Sequence, residues 1–178
     1  MSGEKKKKSF RKEYLNDFQK NDSGKYVYSG EHRTYEGGAE RWRKVMIILW
    51  ICLAVPAALL IVIGCISGSG LTGNILIILP YALELIALFI VIWKMVRLTY
   101  GGMKLRKYVY ESTVLHIPVY ASVAAAIAAI AFAGIIVSLI IGTFSGSIAG
   151  IVLYILTQAA LAAGSLVIIR LVKSMKWS

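Results

Sequence analysis

ILIILPYALELIALFIVIW (75–93) carries a single charged residue, Glu84, in a run of apolar side chains. A helix needs about 20 such residues to cross a hydrocarbon core, so this stretch is long enough to span one, with a carboxyl group near its middle. Three runs of similar length accompany it, at 45–66, 117–141 and 148–169. Hydrophobic residues form 58% of the 178-residue chain, and the mean hydropathy of +0.70 is too apolar for an ordinary soluble domain. Four buried helices of a soluble bundle would each need a polar stripe, and none of these runs shows one. The expected fold is an all-α membrane protein, a four-transmembrane-helix bundle.

The charges give the orientation. Of the twenty Lys and Arg, twelve precede 45, five lie between 94 and 107, and three follow 169. The connections SGSGLTGN (67–74) and GTFSGS (142–147) hold no charge. Basic residues accumulate on the cytoplasmic side, so the tail 1–44, the loop 94–116 and the tail 170–178 are expected there, and 67–74 and 142–147 outside. No cleavable signal is expected, because 44 mostly polar residues precede the first run. The pattern suits a bacterial cytoplasmic membrane. The net charge of +11 then serves orientation and attraction to anionic lipid headgroups, at about 1 kcal/mol per basic residue near the surface. Seven acids interleave with the bases of the tail and no recognition motif is present, so nucleic-acid binding is not expected.

Within the tail, Phe10, Tyr14 and Phe18 recur at helical spacing beside Lys5, Lys6, Lys7 and Lys8. An interfacial helix over 4–20, aromatic face in the headgroups, fits this pattern, and a disordered basic tail fits it nearly as well. NDSG (21–24) signals a turn, and the alternating residues after it suggest a hairpin around Ser29 and Gly30. KYVY occurs at 25–28 and again at 107–110. Packing of the two polar segments on each other, tyrosines from both sides, would account for the recurrence; chance in a Lys- and Tyr-rich composition would also.

Small residues at helical spacing mark expected helix-packing faces, within the chain or between chains. One row contains Ala125 and Ala129, another Gly134, Ser138 and Gly142, and a third Ala160 and Gly164. Pro56 removes a helix hydrogen bond inside the first span and frees the carbonyl of Cys52.

An ionised side chain at the bilayer centre costs at least about 2.5–3.5 kcal/mol, so Glu84 needs company. Counted inward from the uncharged side, Gln158 lies at a comparable depth, with Tyr154 and Thr157 beside it and Tyr81 one turn from Glu84. These five polar groups are expected to meet. A Glu84–Gln158 hydrogen bond would fix helix register; alternatively Glu84 is a protonatable or cation site. Four spans with one membrane glutamate is a plan similar to that of the small multidrug-resistance transporters. In that family, however, the glutamate lies in the first span of a much shorter chain, and no motif around Glu84 matches, so that function is not carried over. No catalytic constellation, metal-ligand cluster or cofactor motif stands out. The expectation is a non-enzymatic membrane protein acting through its basic cytoplasmic face as an accessory or interaction subunit, without cofactor or metal. Its partners would be the bilayer and either a second copy or another membrane protein. The alternative is a small oligomeric transporter or channel subunit built on Glu84.

Overall fold

The computed structural model describes residues 18–20, 24, 26–66, 73–144 and 146–178. Four long helices dominate it: α1 (Gly38–Cys65), α2 (Ile75–Gly101), α4 (Ile117–Ile140) and α5 (Ile148–Ser174), with a short α3 (Lys107–Thr113) leading into α4. Each of the four is long and apolar enough to cross a membrane. Three of them run past the apolar stretch that defines them, α1 beginning seven residues before 45, α2 ending at 101 and α5 at 174. The caps explain the other ends. Asn74 Oδ1 accepts the Leu76 N–H at 3.0 Å and Ser147 Oγ accepts the Gly150 N–H at 3.1 Å, satisfying donors that have no helical partner.

The helices form a ring. The broadest contacts join α4 to α5, α2 to α4 and α1 to α5, while α1 and α2, neighbours in sequence, touch sparsely. α2 and α5 therefore sit across the diagonal. The buried face of α4 is Ile117, Ala121, Ala124, Ala128, Ala131, Ile135 and Ser138. These residues step by alternating fours and threes, the spacing of a straight seam between helices. Ala125 and Ala129 lie off this seam, Ala125 half-buried and Ala129 exposed, so within one copy the expected row does not carry the packing of α4. A row that steps only by four drifts about 40° around the helix at each step and cannot stay on one neighbour. Gly142 does not carry it either. It lies beyond the end of α4 at φ +67°, where an added Cβ would meet nothing within 4 Å, and it terminates the helix.

Two glycines do carry close packing. A Cβ on Gly164 of α5 would lie 2.6 Å from the Cys52 carbonyl oxygen of α1, and one on Gly134 of α4 would lie 2.5 Å from the Leu76 carbonyl oxygen of α2. Both carbonyls stand four residues before a proline inside the helix, Pro56 and Pro80, and so lose their helical donor. Each proline-freed carbonyl is met by a glycine of a neighbouring helix. Ala160, one turn before Gly164, is half-buried.

The polar segments are folded together at the charged end. β1 (Phe18–Lys20) pairs antiparallel with β2 (Tyr26–Tyr28), and β3 (His32–Thr34) with β4 (Lys104–Arg106). No pairing of 26–28 with 32–34 forms around Ser29 and Gly30: β2 pairs with β1, and β3 takes a partner from the connection between α2 and α4. Phe18 lies in a strand, opposite Tyr28, so the helix expected over 4–20 does not extend to it. Lys5, Lys6, Lys7, Lys8, Phe10 and Tyr14 lie outside the described residues.

Candidate functional site

Two polar features stand out, one inside the bundle and one at its end. Inside, Gln158 Nε2–H of α5 donates to Glu84 Oε2 of α2 at 3.2 Å. Both side chains are buried, Glu84 completely. The pair interrupts the apolar interior. One hydrophobic cluster, with Leu88 and Leu161, lies toward the charged end, and a second, of Ile63, Ile77, Ala131, Ile135 and Tyr154, toward the other. Tyr154 is buried beside the pair in sequence and its hydroxyl has no hydrogen-bond partner; Glu84 Oε1 and Gln158 Oε1 have none either.

The remaining two expected members turn away. Tyr81 donates its hydroxyl to the Leu60 carbonyl at 3.1 Å, bridging the sparse α1–α2 seam, and Thr157 donates to Leu153 O at 2.8 Å. A threonine in a helix finds the carbonyl one turn back within reach, so Thr157 needs no partner from α2. A second polar knot, with no motif to mark it in the sequence, lies at the uncharged end. Asn74 Nδ2 donates to Ser138 Oγ at 2.9 Å and Thr143 Oγ1 at 3.1 Å, and Ser138 donates to Gly134 O at 2.8 Å. Ser138 thus ties the start of α2 to α4, beyond any role as a small packing residue.

At the charged end, backbone pairing joins three distant parts of the chain. β3 takes β4 on one side. On the other, Thr34 N–H donates to Ser178 O at 2.8 Å, Ser178 N–H returns to Thr34 O at 3.1 Å, and Glu36 N–H donates to Lys176 O at 3.1 Å. Alternation in β4 buries Leu105 between exposed Lys104 and Arg106, as a half-buried strand requires. Beneath this layer the rings of Tyr35, Trp42 and Tyr110 surround Trp177, with centroids 5.6, 5.8 and 5.6 Å from it.

The bases stay largely on the outside. Lys107 Nζ pairs with Glu31 Oε2 at 3.1 Å, which holds the Glu31 carboxyl below its ordinary range and the Lys107 ammonium above its own. Lys44 pairs with Glu40 at 2.8 Å. Arg106 lies over the Tyr28 ring at 5.2 Å, and Lys94 Nζ donates to Ser112 O at 2.6 Å. Lys104, Arg170, Lys173 and Lys176 are exposed. A cleft of about 380 Å³ opens between α3, α4 and α5, where Tyr110, Pro118, Ser122 and Val172 lie beside Lys173. No protein-family model matches this chain, and no curated protein or solved structure does so either.

Proposed function

We propose that this chain is a non-enzymatic integral membrane protein that acts as an accessory or docking subunit through its basic face, with that face, both tails and the α2–α4 connection in the cytoplasm. One observation carries the reading. Segments before α1, between α2 and α4, and after α5 pair with one another to make a single folded layer, and it bears exposed bases, Lys104, Arg106 and Lys176 among them, that form no ion pair among the described residues. Among the described residues of the opposite end, 66, 73–74, 141–144 and 146–147, none is charged. A layer held by backbone pairing presents its charges in fixed positions, which suits recognition of an acidic surface better than a loose tail does. Anionic headgroups are the first such surface, at about 1 kcal/mol per base; an acidic face of another membrane protein, or of a second copy, is the next.

The test reverses charge on the outward side of β4. Full-length protein and a Lys104→Glu/Arg106→Glu variant, reconstituted in neutral nanodiscs, are exposed to vesicles containing phosphatidylglycerol. The wild type is expected to bind them in a salt-sensitive manner and the variant several-fold more weakly. Equal binding by the two would remove the platform from lipid recognition.

A second reading, a small transporter or channel subunit with Glu84 at its site, is favoured by the unpartnered oxygens around that carboxyl. It requires that Glu84→Gln abolish a pH-dependent flux in proteoliposomes while the bundle stays folded.

A further inference from the structure

The three unpartnered oxygens at the centre of the bundle have a hydrogen-bonding capacity that can be counted. Glu84, Tyr154 and Gln158 are 0%, 1% and 2% exposed, so bulk water does not serve them. Glu84 Oε2 and Gln158 Nε2 are already committed to each other. That leaves Glu84 Oε1 and Gln158 Oε1, one on each partner, because the Tyr154 hydroxyl, the third oxygen, is hydrogen-bonded to neither of them. An ionised carboxylate and an amide oxygen are both acceptors only, so neither can satisfy the other. One proton changes this. A carboxylic acid keeps one accepting oxygen and gains an O–H donor, and Glu84 is the group that can carry it.

We propose that Glu84 and Gln158 form a proton-binding site holding one proton, in which the Glu84 O–H donates to Gln158 Oε1 while Gln158 Nε2–H donates to Glu84 Oε2. The resulting acid–amide ring ties α2 to α5 across the bundle. The terminal torsions of both side chains are soft, so the second bond needs rotation of the two end groups and no movement of the helices.

The surroundings favour a proton over a metal cation. Divalent hard cations take about six oxygens or more, and Glu84, Gln158 and Tyr154 together offer four. No basic side chain lies near the level of the pair: α1 from 45 to 65, α4, and α5 from 148 to 169 carry no charged residue, Glu84 is the only charge on α2 between 75 and 93, and the first base of α5 is Arg170, twelve residues beyond Gln158. The titratable side chains nearest the pair along its own two helices are Tyr81, three residues before Glu84, and Tyr154, four before Gln158. Loss of the proton leaves a carboxylate facing the amide oxygen, removes one of the two bonds and weakens the diagonal. The folded chain then binds a proton that the unfolded chain releases, and stability falls as pH rises. This site is independent of what the basic layer binds, and it holds with or without flux through the bundle.

The full chain in bilayers at neutral pH, followed by infrared difference spectroscopy, tests the assignment. A protonated carboxyl band is expected that vanishes in Glu84→Gln and shifts toward weaker hydrogen bonding in Gln158→Leu. Thermal unfolding gives a second reading that does not depend on Gln158→Leu folding. Glu84→Gln rebuilds the ring as an amide pair, so its midpoint should equal that of the wild type at neutral pH and lose the wild type's decline at alkaline pH. A carboxylate band at neutral pH, a protonated band indifferent to Gln158→Leu, or a band that sodium abolishes would each overturn the proposal.

Discussion

Gly164 of α5 rests against the carbonyl of Cys52 in α1, the carbonyl that Pro56 deprives of its helical donor. The same relationship recurs between Gly134 of α4 and Leu76 of α2, below Pro80. In both places a side chain would meet backbone, which cannot swing aside. Gly164→Ala and Gly134→Ala should therefore each destabilise the bundle by about 1–3 kcal/mol, the usual cost of overpacking. Reversible unfolding in mixed micelles measures this, and a variant as stable as the wild type would show that the helices separate freely there.

Adjacent alanines on α4 should behave differently. Ala128 belongs to the buried seam and Ala129 faces outward. Ala128→Leu is expected to cost about 1–3 kcal/mol, and Ala129→Leu to stay within about 0.5 kcal/mol. If Ala129→Leu alone changed the oligomer size seen by light scattering, the outward row would be a face between copies.

Trp177 joins the C-terminal residues to α1, α3 and the strand layer through three rings. Each aromatic pair contributes about 0.5–1.5 kcal/mol beyond its buried area. Trp177→Ala should strip near-ultraviolet circular dichroism and loosen β3, while the far-ultraviolet helix signal remains. Loss of the helix signal as well would mean that the polar layer and the bundle fold as one unit.

The Glu31–Lys107 pair predicts the pH response of the β3–β4 junction. Glu31 is held below its ordinary value of 4.5, so its contribution is present above that pH and lost as pH falls through the lowered value. Lys107 is held above its ordinary value of 10.5, so its share is full below that pH and lost as pH rises through the raised one. Backbone amide protection at Lys107, whose N–H donates to Glu31 O, should be flat between these limits and fall at the acid end. Lys107→Gln should remove the acid-end change. The pair is exposed, so the effect should shrink in high salt.

Blocks of apolar residue are legible because a helix long enough to span leaves little room for ambiguity. Depth was legible as well: counting residues from the uncharged end brought Glu84 and Gln158 to one level, since every helix rises at the same rate. Rotation was not. Whether Tyr81 faces Glu84 or Leu60 depends on which neighbour each helix chooses, and uniformly apolar helices give no stripe to decide it. The same ambiguity hid the true face of α4 behind a row of alanines that could be grouped in several ways. The polar layer misled for another reason. Local pattern pairs His32–Thr34 with its nearest strand-like neighbour, whereas its partner Lys104–Arg106 is seventy residues away, and local pattern carries no record of such a pairing.

The sparse α1–α2 seam sets an order of assembly. Translation delivers α1 first, yet its broad partner is α5, which emerges after the other three. Until then the Cys52 carbonyl, which Pro56 leaves without a helical donor, also lacks Gly164 beside it. The hairpin of α1 and α2 is thus an open clasp during synthesis, and the arrival of the final helix is what fastens it.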